Sequence, residues 1–111
     1  MNPNAFLPNG NTVTFTANVS GSVPTPVQAV SNGLSSNQYR ILNAGSVTVF
    51  LGSGTSSANA TSNAVVVTST GTSVPLLPGT DEIMSFAPSA YFTGITASGT
   101  AVVYITPGDG I

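Results

Sequence analysis

The stretch Gln38 to Gly52, QYRILNAGSVTVFLG, constrains the fold more than any other: two apolar runs rich in β-branched residues flank Asn43-Ala44-Gly45. Such runs on either side of a short Gly-containing turn read as a β-hairpin. A three-residue turn with Gly45 in the left-handed conformation sets Tyr39 against Val49 and Ile41 against Val47, so that Tyr39, Ile41, Val47, Val49 and Leu51 share one apolar face. A two-residue loop pairs Arg40 with Val49 instead and mixes the only cation into an apolar row. The bulged turn is therefore preferred, with Arg40 and Leu42 on the opposite face.

The same strand-and-turn vocabulary runs through most of the chain. Residues 1–11 contain Pro3 and Pro8 but no periodic pattern, which predicts an extended N-terminal arm anchored only by Phe6 and Leu7; it either tucks onto its own domain or lies on a neighbour. Val13, Phe15 and Ala17 alternate with Thr12, Thr14 and Thr16, the mark of a strand with one face in the core. Pro24 and Pro26 limit Val27 to Val30 to an edge strand, and Asn32-Gly33 is the expected pivot of the turn that follows. Gly52 to Asn63 lacks large apolar groups and reads as a surface loop. Short extended pieces are expected at Ala64 to Ser69 and at Ser73 to Leu77, then a Pro78-Gly79 turn and a strand from Asp81 to Ala87 that is apolar on its Met84 and Phe86 side. Tyr91 to Thr106 reads as a second hairpin closed by Ser98-Gly99, pairing Ile95 with Val102 and Thr93 with Tyr104, with Pro107-Gly108 ending the ladder. Gly94 marks a place where another layer approaches closely.

No segment carries a helical period. Seven to nine short strands punctuated by Gly and Pro predict an all-β fold, a two-sheet antiparallel jelly-roll sandwich or barrel over residues 12–111, with a core drawn from Phe15, Tyr39, Ile41, Val49, Val66, Phe86, Ile95 and Val102. At 111 residues the chain holds one core.

Charge narrows the function. Arg40, Asp81, Glu82 and Asp109 are the only charged residues, where a soluble domain ordinarily carries about a quarter. A single side-chain cation excludes nucleic-acid binding through phosphate neutralisation. No apolar run approaches the ~20 residues that span a bilayer, and the start MNPNAFLPNGN lacks the basic and apolar regions of a secretory signal, so the expected setting is a cytoplasm. A surface made of hydroxyls and small apolar groups loses little on dehydration against another protein, which favours life inside an assembly.

The same inventory leaves little for catalysis. With no His and no Cys, the usual zinc sites, Ser-His-Asp triads and Cys-His pairs cannot be built from one chain. Asp81 and Glu82 are adjacent in an expected strand and point to opposite faces, so they cannot flank one bond. The expectation is a protein with no catalytic, metal or cofactor site. Arg40 is expected to pair with Asp81 or Glu82, or to set register with a partner. Phe6 and Phe50 are the aromatic residues not needed by a strand face. The candidate partner contacts are thus Phe6, Leu7, Arg40, Leu42 and Phe50.

Three stretches taken together, YRILNAGSVTVFLGSG, PLLPGTDEIMSF and AYFTGITASGTAVVYITPGDGI, resemble small tailed-phage proteins with the same order of elements. Within that group the chain looks most like the capsid decoration proteins, also called cement or staple proteins, of epsilon-fifteen-like podoviruses. The resemblance covers Gln38 to Ile111, roughly two thirds of the chain. It implies a jelly roll on the outer surface of the virion, made in the host cytoplasm, that bridges neighbouring major capsid protein subunits. A self-complementary contact suits a two-fold position, so a homodimer over a capsid two-fold axis is the expected arrangement. It offers no catalytic residue to carry over. The alternative is a carbohydrate-binding jelly roll on the virion surface that aids adsorption, which requires an exposed aromatic platform.

Overall fold

The computed structural model describes residues 7, 8, 10–19, 22–28, 38–87 and 89–109. Among them are nine strands and one helix: β1 (Leu7–Pro8), β2 (Val13–Val19), β3 (Val27–Gln28), β4 (Gln38–Asn43), β5 (Val49–Gly54), α1 (Ser57–Asn63), β6 (Val74–Leu76), β7 (Asp81–Ser85), β8 (Tyr91–Thr96) and β9 (Ala101–Asp109). The strands form one strongly curled sheet in the order β6-β5-β8-β2-β9-β4-β7, with β1 on β9 and β3 on β8. β2 is its corner. Val13 to Ala17 run antiparallel to β9, whereas Asn18 and Val19 run parallel to Ile95 and Thr96 of β8. The side containing β1, β2, β9, β4 and β7 is called sheet A below, and that of β6, β5, β8 and β3 sheet B. The fold is mostly β, as expected, but the parallel contact makes it mixed rather than antiparallel throughout.

Neither predicted hairpin forms. β4 pairs with β7 and β9, while β5 pairs with β6 and β8, so residues 44–48 carry the chain across from sheet A to sheet B. Asn43 makes the crossing. Its buried side chain donates from Nδ2 to the carbonyls of Val47 (3.0 Å) and Leu76 (2.9 Å), and its Oδ1 accepts from the Gly45 N–H (3.0 Å). Gly45 lies so close to β9 that an added Cβ would sit 2.3 Å from the Ala101 Cβ. The second reversal behaves likewise: Gly99 has φ +77° and Thr96 Oγ1 donates to the Gly99 carbonyl at 2.6 Å, yet β8 and β9 part into different sheets. Alternation and turn residues reveal that the chain reverses, but not whether the two strands end up side by side or face to face. The core shifts accordingly on β9, where Val103 is fully buried and Val102 only half-buried.

The expected buried positions Phe15, Tyr39, Ile41, Val49 and Ile95 are all under 6% exposed. Tyr39, Phe86 and Phe92 form an edge-to-face aromatic cluster between the sheets, with ring centroids 5.0 Å apart for both Phe92 contacts. Phe86 packs half-buried against the core; Val66 is half-buried. At Gly94 an added Cβ would come within 2.8 Å of Val49 Cγ1 and 3.1 Å of Phe15 Cε1, the close layer approach expected there.

The stretch expected as a loop, Gly52 to Asn63, instead contains α1. Ser56 caps it, its Oγ accepting from the Asn59 N–H at 3.2 Å. Tertiary packing rather than periodicity holds so short a helix. Gly52 and Gly54 leave the surface of β5 bare, and α1 lies directly on it: a Cβ on Gly52 would be 2.5 Å from the Ala60 carbonyl oxygen. The strand expected at Ala64 to Ser69 is irregular; its Val65 carbonyl accepts from Ser73 Oγ. The expected turn at Pro78-Gly79 forms: Leu77-Pro78-Gly79-Thr80 is closed by Thr80 N–H to the Leu77 carbonyl at 2.9 Å, with Gly79 at φ +79°, and Pro75 before it lies on edge strand β6. The ladder does not end at Pro107 as expected: β9 runs through Pro107 to Asp109, because Pro107 falls where β2 hands that edge of β9 to β1. The arm residues Leu7 and Pro8 pair with Asp109 and Gly108 of their own domain. Phe6 and the Asn32-Gly33 pivot lie outside the described residues.

Candidate functional site

Strand alternation turns Tyr39, Ile41 and Asn43 of β4 into the core, so Gln38, Arg40 and Leu42 face outward from sheet A. Pairing then lines them up with their neighbours. One cross-strand row reads Asp81, Leu42, Tyr104, Thr14; the next reads Ile83, Arg40, Thr106. Thr106 Oγ1 bonds Thr12 Oγ1 at 2.7 Å, which extends the second row onto the residue before β2. A third row joins Ser85 to Gln38, whose Oε1 is buried and makes no hydrogen bond among the described residues.

Arg40 and Asp81 sit diagonally in these rows and form a two-pronged ion pair, Nε to Oδ1 at 2.8 Å and Nη2 to Oδ2. The cross-strand pairing expected of Arg40 therefore exists within one chain. The hydrogen bonds from Arg40 hold the Asp81 carboxyl below its usual range, and Asp81 in turn keeps Arg40 protonated to higher pH. Both side chains stay well exposed, 52% and 39%, so the pair adds little to stability. Its main effect is to neutralise the face locally.

Around the pair the face is apolar and hydroxylated. Ile83 is 48% and Tyr104 42% exposed, Leu42 is half-buried, and Thr14 and Thr16 are exposed. α1 packs on sheet B and leaves this surface open. The outward side of sheet B is covered at its middle: Gly52 and Thr93 are paired neighbours, α1 covers the first, and Thr93 Oγ1 donates to the Pro24 carbonyl at 2.9 Å.

Comparison with protein-family models, curated proteins and solved structures finds no match. The site therefore rests on its own geometry. Of the candidate contacts, the structure brings Arg40 and Leu42 together on the outer face of sheet A. Phe50 belongs to the outer side of sheet B, paired with Ile95 and Pro75 and half-buried. Leu7 is in β1 at the end of β9. Ile83 and Tyr104 were missed. Ile83 could have been found, since it points away from Met84 and Phe86 in a strand that is apolar on their side; Tyr104 was hidden by the wrong pairing of β8 with β9.

Chemically, the face offers hydroxyls, aliphatic groups, one phenol and a neutralised ion pair. Among the described residues no three of His, Cys, Asp and Glu gather, and no helix is long and apolar enough to cross a membrane. The sole strongly buried phenol is elsewhere: Tyr39 donates to the Ala87 carbonyl at 3.2 Å, and burial raises its pKa above the ordinary 10.0.

Proposed function

We propose that this chain is a structural clip that binds the outer surface of an icosahedral phage capsid and stabilises it by bridging neighbouring major capsid protein subunits. The outer face of sheet A is the contact surface in this reading, and the observation that carries it is the grouping of exposed Ile83 and Tyr104 with Leu42 around a self-neutralised Arg40–Asp81 pair. Large apolar side chains left in solvent on a sheet whose other side is roofed suit a protein partner. The resemblance of Gln38 to Ile111 to decoration proteins supplies the kind of partner, and the curled two-layer arrangement is compatible with the jelly roll that this class implies. Two copies meeting across a capsid two-fold axis belong to the same proposal.

The physical logic is mechanical. A shell under pressure from packed genome opens at subunit seams, and a clip across a seam adds contacts that opening has to break. A standard contact of ~800 Å² per partner is enough for one clip, and repetition over the lattice multiplies the effect. Because the face is neutral, attachment depends weakly on ionic strength.

The test is to add purified protein to capsids that lack it and to measure stoichiometry and the temperature of thermal rupture. Saturable binding at a fixed ratio to the major capsid protein, with rupture moved to higher temperature, is expected. Capsids that burst at the same temperature with and without the protein, or a protein stripped off by moderate salt alone, would overturn the proposal.

A further inference from the structure

At one end of the molecule three chain reversals meet around a groove of about 430 Å³, within the ~300 to 1,000 Å³ range of small-molecule sites. Ser46, Val47 and Thr48 come from the β4–β5 crossing, Pro78 from the turn before β7, and Ala97 and Ser98 from the β8–β9 crossing, while Phe50 of β5 lines it from the outer side of sheet B. The reversals are tied to one another. Asn43 bonds the Val47 carbonyl through its side chain, its own N–H donates to the Thr80 carbonyl (2.9 Å), and its carbonyl accepts from the Gly79 N–H (3.0 Å). Thr96 closes the third reversal through Gly99. The walls are thus set by the fold before any ligand arrives, which lowers the entropic cost of binding.

The lining has a definite chemistry. None of the charged residues contributes to it. The side-chain hydroxyls of Ser46, Thr48 and Ser98 make no hydrogen bond among the described residues, whereas those of Thr14, Ser73, Thr93 and Thr96 are committed to backbone carbonyls. Beside these three free hydroxyls stand the Phe50 ring and the apolar surfaces of Val47 and Pro78.

We propose that this groove binds a neutral saccharide. A sugar ring combines an apolar C–H face, which suits Phe50, Val47 and Pro78, with hydroxyls that exchange hydrogen bonds with Ser46, Thr48 and Ser98. Carboxylated or phosphorylated sugars find no counter-charge here, in a chain of net charge −2. The site goes beyond the clip reading and does not depend on it, since it uses sheet B and the end loops rather than the outer face of sheet A.

The experiment pairs an array of neutral and acidic glycans with titration of ¹⁵N-labelled protein by maltotriose, by cellotriose and by any neutral glycan the array retains. Retention of neutral glycans is expected, with saturable amide shifts confined to residues 46–50 and 97–99. Thr48→Val keeps the side-chain volume and removes one hydroxyl; it and Ser98→Ala should each weaken binding about fivefold, the equivalent of one neutral hydrogen bond. Phe50→Ala should abolish it, with a thermal melt confirming the fold, and Thr48→Val keeps the question answerable if that variant does not fold. An array without neutral hits and a titration without groove shifts overturn the proposal, as do a preference for acidic glycans or shifts that map elsewhere. Loss of capsid attachment in Thr48→Val and Ser98→Ala without any glycan binding makes the groove a protein contact and also overturns it.

Discussion

On sheet B the outward pair Gly52 and Thr93 is sealed by α1 and by the Pro24 carbonyl, while on sheet A the outward rows through Leu42 and Arg40 end in solvent with Ile83 and Tyr104 exposed. Both surfaces belong to one curled sheet, and they differ in side-chain size. Glycines on β5 let a small helix of Ser, Ala, Asn and Thr approach until backbone meets backbone. Large side chains on β4, β7 and β9 keep other elements of the chain at a distance. The molecule thus covers from within the part of sheet B where β5 carries glycine, and leaves bare the rows of sheet A that carry large side chains. Substitutions on the first should cost stability, and on the second, attachment.

Gly52→Val is expected to have the largest effect. A side chain there meets the Ala60 carbonyl and the Ala64 amide at 2.5 and 2.6 Å, backbone atoms that cannot move without lifting α1. The cost should be about 3 kcal/mol in chemical denaturation, with hydrogen exchange in α1 accelerated first. Asn43→Ala should follow at about 2 kcal/mol, because it strips donors from the Val47 and Leu76 carbonyls at the crossing between the sheets. A melt that moves by less than a degree in either variant would remove the distinction between a tied interior and a free exterior.

Tyr39→Phe comes next, with about 1 kcal/mol lost near neutral pH from the bond to Ala87. Its pH dependence is more specific. The folded state holds the Tyr39 proton more tightly than the unfolded chain does, so this stability is complete below the unfolded pKa near 10.0 and is lost as pH rises through the higher folded value. Stability measured by chemical denaturation across that window should fall with rising pH in the natural protein and fall less in Tyr39→Phe. The smallest effect on stability is expected for Ile83→Thr with Tyr104→Thr, within about 0.5 kcal/mol. The same double variant should lose most of its affinity for capsids in a cosedimentation assay. Unchanged attachment would place the contact on another surface.

How much of this was legible in the sequence depends on the range of the interaction involved. The β2 alternation of Val13, Phe15 and Ala17 and the Pro78-Gly79 turn are local, and each was readable from neighbouring residues. The partners of β4 and β9 were not, since Asn43 acts through carbonyls more than thirty positions away and Gly45 through Ala101. α1 was invisible for a related reason: only Ala60 of the helix is buried, and what stabilises it is the missing side chains of β5. For the candidate site, Arg40 and Leu42 were found correctly as outward residues even though the hairpin that suggested them does not exist, because face depends on parity within a strand and not on which strand lies alongside. Tyr104 was lost because pairing β8 with β9 put Val102 opposite Ile95 in the core, which inverted the parity of β9 and turned Tyr104, two residues on, inward with it.

β9 is the last strand described and also a central one, bonded to β2 and β1 along one edge and to β4 along the other. Sheet A therefore cannot close until β9 has left the ribosome, and the β2 and β4 edges that it joins stay open until then. Folding should be late, all-or-none and slow for a chain of this size, so removal of a few residues from β9 should abolish the whole domain rather than trim it.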